Sequence, residues 1–304
     1  MTVKKIQPPF LRKGDEVAII SPSFAIDETK IGESVRILEG WGLKVRLGRN
    51  IFSSKGPFAG TDEERLYDFQ EVTADRNIKA VICSRGGYGM MKIIDKINFS
   101  SLNKYPKWYV GFSDITALHL WLEKKCNLVS IHGEMPLNYT NPGKSASNLD
   151  SLRDALFGDW KPVEWSGNFL MPGDVSGEIT GGNLSLIHSL IGTPAEPETR
   201  GRILFIEEVG EYLYHLDRMM TSLRLADKLK GLSAIITGGF SKMEETKDPW
   251  GKTPEEIISD AAAGYKYPVF FNFPAGHVSD NRAFYLGKRA KIRIMGGNAI
   301  LSYP

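Results

Sequence analysis

Gly111-Phe112-Ser113-Asp114 sets a serine between Trp108–Phe112, which reads as a buried strand, and Asp114–Trp121, which reads as a helix start. Such a turn presents a hydroxyl while the N–H groups of the new helix point at any oxygen bound beside it, a geometry suited to acyl transfer. The same position also suits a plain helix N-cap, and Ser113 alone is compatible with either role. A serine nucleophile needs a base, usually histidine, held in the right tautomer by a carboxylate. Five histidines are present. His119 and His188 fall on apolar helical stretches and read as packed side chains. His215, four residues after Glu211, reads as half of a surface ion pair. His132 ends a strand and can line a crevice. His277, in Pro274-Ala275-Gly276-His277-Val278, sits on a loop just after a strand, a posture open to a catalytic or an inert role.

Glu207 and Glu208 follow the apolar run Ile203–Ile206. Adjacent strand residues point to opposite faces, so one acid can turn to a histidine while the other meets solvent or caps the next helix. A metal site from Glu207, Glu208, Glu211 and His215 lacks any H-E-x-x-H or paired-aspartate pattern, and no metal or other cofactor is expected. Ser84-Arg85-Gly86-Gly87-Tyr88-Gly89 also follows a strand, with a helix expected from about Met90. Its glycines suit a phosphate cradle, an oxyanion-hole loop or a tight turn, although the spacing is not G-x-G-x-x-G. Ligands gather at the carboxyl ends of parallel strands, so this loop and Ser113 can face one crevice.

The elements that would hold these groups alternate in the first half. Strands are expected at Val17–Ser21, Leu43–Leu47, Ile78–Cys83, Trp108–Phe112 and Leu128–Ile131. Helices between them carry Ile31, Val35, Leu38 and Trp41, then Leu66 and Phe69 behind the capping box Thr61–Glu64. This βαβα rhythm predicts a doubly wound parallel sheet over residues 1–135. A turn-rich stretch with one helix near Asn148–Phe157 makes residues 136–175 a connecting region. Residues 176–304 read as a smaller mixed, β-rich α/β domain. It has strands at Arg202–Ile206, Ala234–Thr237 and Val269–Asn272, helices near Tyr212–Leu229 and Pro254–Ala263, and a closing hairpin turned at Gly296-Gly297-Asn298.

Composition narrows the function class. The 304 residues carry 38 basic and 36 acidic side chains, a net charge of +2, which favours neither nucleic acid nor an anionic membrane. No signal peptide or membrane-length apolar run is visible, and two cysteines, Cys83 and Cys126, suit a reducing compartment. The expectation is a cytoplasmic protein.

Ser113, Glu207 and His277 occur in the chain order Ser…Glu…His, and the motifs around them resemble the LD-carboxypeptidase family, the S66 serine peptidases. The resemblance rests on Arg85-Gly86-Gly87-Tyr88-Gly89, Gly111-Phe112-Ser113-Asp114, Gly181-Gly182-Asn183-Leu184, Phe205-Ile206-Glu207-Glu208 and Gly276-His277. Ile20-Ser21-Pro22-Ser23, Ala59–Arg65, His132-Gly133 and Gly192-Thr193-Pro194 extend it over nearly the whole chain. It implies a Rossmann-like amino-terminal domain, a smaller β-rich domain and a homodimer. It further implies removal of the terminal D-alanine from murein tetrapeptides at an L–D bond during cell-wall recycling. Ser113 would be the nucleophile, His277 the base and Glu207 the triad acid, with Glu208 the alternative acid. The N–H groups of Asp114 and of Gly87 or Gly86 would form the oxyanion hole, and the site would draw on both domains. Arg85, Arg218 and Arg282 are candidates for the substrate's terminal carboxylate, with His132 and Glu208 as further candidate contacts. Val278 after His277, Glu134 after Gly133 and Glu208 in place of aspartate depart from the common pattern. Two other readings stand beside this one: hydrolysis of peptidyl-nucleotide antibiotics by the same triad, as in an immunity branch of the family, and a non-catalytic muropeptide- or nucleotide-binding module.

Overall fold

The computed structural model describes residues 5–304. They form two compact units, one of residues 5–160 with Ser279–Leu286, the other of Lys161–Val278 with Gly287–Pro304. In chain order the first contains β1 (Glu16–Ile20), α1 (Glu28–Gly40), β2 (Lys44–Leu47), α2 (Asp62–Ala74), β3 (Ile78–Cys83), β4 (Trp108–Gly111), α3 (Thr116–Lys125), β5 (Ser130–His132) and α4 (Ser147–Phe157). The second runs through β6 (Val163–Trp165), β7 (Phe169–Leu170), β8 (Val175–Asn183), α5 (Leu184–Ser189), β9 (Ile203–Val209), α6 (Leu213–Leu225), β10 (Ala234–Ser241), α7 (Pro254–Ala262) and β11 (Val269–Phe270). The chain then returns to the first unit for β12 (Phe284–Leu286) and ends in the second with β13 (Arg289–Met295) and β14 (Asn298–Ser302).

The first unit's sheet has the order β12-β5-β4-β3-β1-β2. Its five sequential strands are parallel, with β12 antiparallel at the edge. Strand order reverses between β1 and β3, which makes their carboxyl ends a topological switch point. Val17–Ile20 and Ala80–Cys83 are at most 1 % exposed, as unbroken apolar strands covered on both faces must be. The second sheet has the order β6-β14-β13-β8-β9-β10-β11-β7; β8 to β11 pair in parallel and the flanking strands antiparallel. Gly296-Gly297 turns the β13–β14 hairpin, with Met295 opposite Asn298. No helix among the described residues is long and apolar enough to cross a membrane.

Several elements differ from the sequence expectation. Residues 136–160 pack with the first unit and 161–175 enter the second sheet, so the stretch read as a connection divides between them. Glu134, buried, binds this segment by accepting from Asn138 Nδ2 (2.9 Å) and Asn148 Nδ2 (3.1 Å). The expected helix from Met90 is replaced by 3-10 turns at Met90–Lys92, Ile94–Lys96 and Ser100–Asn103. Met90, Ile93, Ile94 and Ile97 are buried at helical spacing, but the buried Phe99 and Leu102 fall off that stripe and the backbone closes 3-10 turns instead. α6 stops at Leu225, four residues early, where Asp227 turns left-handed (φ 57°) and Lys228 N–H donates to Leu223 O. β9 runs three residues past Ile206, so Glu207 and Glu208 lie within a strand rather than in a helix's first turn. β12 was not expected at all.

His119, fully buried on α3, accepts and donates as a neutral ring: one nitrogen meets Gly111 O (2.9 Å) and the other Ser130 Oγ (2.8 Å). The carbonyl can only accept, so Nε2 carries the proton and Nδ1 takes the serine O–H. Burial pushes its pKa from 6.5 down to about 4. A neutral group buried this way supports the fold fully above pH 6.5, and its contribution fades as pH falls toward 4. On the order of 3 kcal/mol should disappear over that window. Thermal unfolding between pH 7 and 4.5 is expected to weaken more steeply in the parent than in His119→Gln, and parallel slopes would contradict this account.

Candidate active site

β4 delivers Phe112 in extended conformation and then Ser113 at φ +63°. A left-handed serine costs on the order of 1 kcal/mol and persists only where its surroundings enforce it. Ser113 opens a 3-10 turn, Ser113–Ile115, that continues into α3. The cap positions are Phe112 and Ile115, neither making a side-chain cap bond, so Ser113 is not a helix cap. Half-buried at the tip of a sharp strand-to-helix turn, it has the backbone of a nucleophile elbow. The glycine loop after β3 lies against it. A Cβ on Gly86 would stand 2.9 Å from Ser113 Cβ, 3.0 Å from its Oγ and 3.5 Å from the Asp114 nitrogen. Only a residue without a side chain allows this approach, and it sets the Gly86 backbone beside the hydroxyl.

Asp114 locks the arrangement. Its buried Oδ2 accepts from Ser23 Oγ (2.6 Å) in the loop after β1 and from Met90 N–H (2.8 Å) at the end of the glycine loop. Burial raises this carboxyl above the ordinary aspartate range, and the two bonds counter part of the rise. Arg65, also buried, donates to Pro22 O (2.6 Å) and Gly89 O (3.0 Å) and pairs with Asp62. Three loops at the carboxyl ends of β1, β3 and β4 are thus tied by one carboxylate and one guanidinium. Arg85 donates to Ala25 O (2.9 Å) and lies over the Phe24 ring.

The second unit brings Glu207 and His277 together. Glu207 is fully buried on β9, and its Oε2 accepts from His277 Nδ1 (2.7 Å) and from the His277 backbone N–H (3.2 Å). A Cβ on Gly276 would come 2.6 Å from that oxygen. Ser241 Oγ donates to His277 O (2.9 Å) and fixes the loop further. An imidazole held at Nδ1 by a buried carboxylate keeps Nε2 for proton exchange. Glu208 faces the other way: it accepts from Asn183 Nδ2 (2.8 Å), Ser185 N–H (2.7 Å) and Ser185 Oγ (2.8 Å), and burial raises its pKa. Glu208 therefore fastens the first turn of α5, and the acid on His277 is Glu207.

Other candidates have structural employment. His132, 1 % exposed, stacks on Phe284 (4.8 Å) and meets Asn281 Oδ1 (3.2 Å), so it belongs to the core that β12 completes. Arg282 is gripped by Asp280 (2.9 Å), and Arg218 lies over Tyr214. His215 pairs with Glu211 (2.7 Å), while His188 is half-exposed rather than packed in a core. Glu207 turns to His277, whereas Glu208 and Glu211 both accept from the Ser185 hydroxyl and Glu211 also pairs with His215; the described residues hold no group of three or more His, Cys, Asp or Glu suited to a metal. Sequence reading missed the side chains of Asp114, Ser23 and Arg65. A buried arginine leaves no local signal, but Asp114 directly after the serine could have prompted a question about its carboxylate.

Residues 17–133 match the LD-carboxypeptidase N-terminal domain and residues 176–292 the LD-carboxypeptidase C-terminal domain. The chain is 34% identical over 303 residues to a probable murein peptide carboxypeptidase of Bacillus subtilis (strain 168), covering 97% of this chain and 94% of that one. A crystal structure of muramoyltetrapeptide carboxypeptidase from Oxalobacter formigenes superposes with a TM-score of 0.85 at 28% identity, covering 95% of this chain and 99% of that one. The microcin C7 self-immunity protein MccF in complex with aspartyl sulfamoyl adenosine shares the fold (TM-score 0.88, 21% identity, 98% and 99% covered).

Gly86→Ala tests the packing around the serine. A displacement near 1 Å at a reacting atom costs about a hundredfold in rate. Fluorophosphonate labelling of Ser113 should slow by that order while circular dichroism stays unchanged; labelling at the parent rate would refute the steric argument.

Proposed function

The chain belongs to the LD-carboxypeptidase family and is a hydrolase of that peptidase class, and on this premise we propose that it removes the carboxy-terminal D-alanine from murein tetrapeptides through a Ser113-His277-Glu207 triad. The observation that carries the reading is the buried Glu207 oxygen on His277 Nδ1, because it gives the base both its tautomer and its aim. The left-handed Ser113 beside Gly86 supports it from the first unit. In the proposed reaction Ser113 Oγ bonds to the carbonyl carbon of the L–D peptide bond while His277 Nε2 takes its proton. The N–H groups of Asp114 and of Gly86 or Gly87 meet the developing oxyanion. The C–N bond then breaks, and D-alanine leaves as the amine with the proton from His277. Water, deprotonated by the same nitrogen, attacks the acyl-serine carbonyl; the C–Oγ bond breaks, His277 returns the proton to Ser113 Oγ, and the tripeptide is released as its carboxylate. Glu207 stays ionised and steadies the imidazolium. The reading carries with it a cytoplasmic homodimer serving cell-wall recycling.

Ser113→Ala should lower D-alanine release from the free murein tetrapeptide by about 10³-fold or more, followed by mass spectrometry, with the fold intact. Release at the parent rate would overturn the triad. A peptidyl-nucleotide conjugate offered in parallel is expected to give the lower kcat/KM, and the reverse order would favour the immunity-type substrate.

The two glutamates separate by a second comparison. Glu207→Gln is expected to depress kcat by two orders of magnitude or more, about as the loss of a triad acid does elsewhere. Glu208→Gln should mainly lower the melting temperature, since its bonds hold α5. Equal loss of kcat in both would contradict the division of roles.

A further inference from the structure

Where β1, β3 and β4 begin, at the end of the first unit's sheet away from Ser113, lies a cavity of about 580 Å3. A strand of this length spans roughly 15–20 Å, so the cavity is distinct from the nucleophile turn. Its walls carry Arg12, Arg76, Lys79 and Lys104, and Asp15 is the one acid among the lining residues. Asp15 directs an oxygen to the Arg12 backbone N–H (2.8 Å). The acids next in sequence, Glu16 and Asp75, both pair with Arg46 (2.8 and 2.6 Å). None of the four lining cations has a carboxylate partner among the described residues; Lys79 Nζ donates to Arg76 O (2.9 Å) and Lys104 lies over the Tyr105 ring. Four such charges around one concavity produce a local positive field that the near-neutral net charge of the chain conceals.

The cavity also offers fixed aromatic surface. Phe10 stacks on Trp108 (5.9 Å, 19°) and lies against Gly158, where a Cβ would come 2.7 Å from its ring. Trp108 Nε1 donates to Pro9 O (2.9 Å) and Leu11 N–H to Leu156 O (2.8 Å), so the wall bearing Phe10 is held at both ends. Tyr105 supplies a second ring to the lining. Cations alone would suit any phosphate, and rings alone any apolar plane; the combination selects a ligand with both.

We propose that this cavity binds a nucleoside polyphosphate, with its phosphates on Arg12, Arg76, Lys79 and Lys104 and its base against Phe10 and Tyr105. The volume lies within the range of small-ligand sites. Isothermal titration of the full chain with ATP, pyrophosphate and adenosine tests it. Saturable one-to-one ATP binding is expected, with pyrophosphate weaker by about tenfold or more. R76E/K79E should weaken ATP by about a hundredfold, with the melting temperature and muropeptide hydrolysis without nucleotide unchanged. Should that double variant fold poorly, K104E, on an exposed loop, carries the same expectation of a tenfold or greater loss. No saturable ATP binding to the parent, unchanged affinity in a folded charge-reversal variant, or pyrophosphate binding as tightly as ATP would each overturn the assignment.

Discussion

A single buried carboxylate organises the first unit's functional end. Asp114 stands immediately after the left-handed serine, and its side chain turns back to the loops after β1 and β3. Removing a carboxylate from water is costly, and Ser23, the Met90 N–H and the nearby Arg65 charge each reduce that cost. The three loops therefore hold one another: the Asp114 bonds keep the glycine loop near the turn, and Gly86 keeps Ser113 in an otherwise unfavourable conformation. Arg65 supports the same loops from behind through Pro22 and Gly89. A left-handed serine turn needs such redundancy, because no one bond outweighs the backbone cost by much.

The second unit solves a related problem with strand geometry. Glu207 and Glu208 are neighbours in β9, so the pleat sends their side chains to opposite faces without any further device. One secures a histidine loop and the other secures α5 through Asn183 and Ser185. Exchanging the two roles would require a one-residue register slip, and β9 is pinned on both sides by parallel partners β8 and β10.

Much of this was legible in the sequence because it depends on local rules. Apolar runs at β1, β3 and β4, the Thr61–Glu64 box and the Gly296-Gly297 turn each announce themselves within a few residues. Ser113 at a strand-to-helix junction and His277 on a loop were readable as candidates for the same reason. What escaped depends on contacts across long stretches of chain. β12 is three residues long and has no periodicity to detect. His132 looked like a crevice residue because its partners, Asn281 and Phe284, lie about 150 positions away. The run after Gly89 carries buried Met90, Ile93, Ile94 and Ile97 at helical spacing, yet it folds into short 3-10 turns, an outcome that local pattern does not reveal.

The late return of β12 constrains how the protein is made. The sheet that bears Ser113 acquires its edge only from Phe284–Leu286, pairing with His132, Ile131 and Ser130. Pairings so distant in sequence form slowly and come late. During synthesis the unpaired backbone edge of β5 must wait until nearly the whole chain has emerged, by which time the second unit's strands up to β11 are already available to fold. An amino-terminal fragment ending at any natural break before residue 279 would leave that edge open to intermolecular pairing. Translation thus delivers the last strand of the sheet that bears Ser113 only after His277 and the loop that holds it.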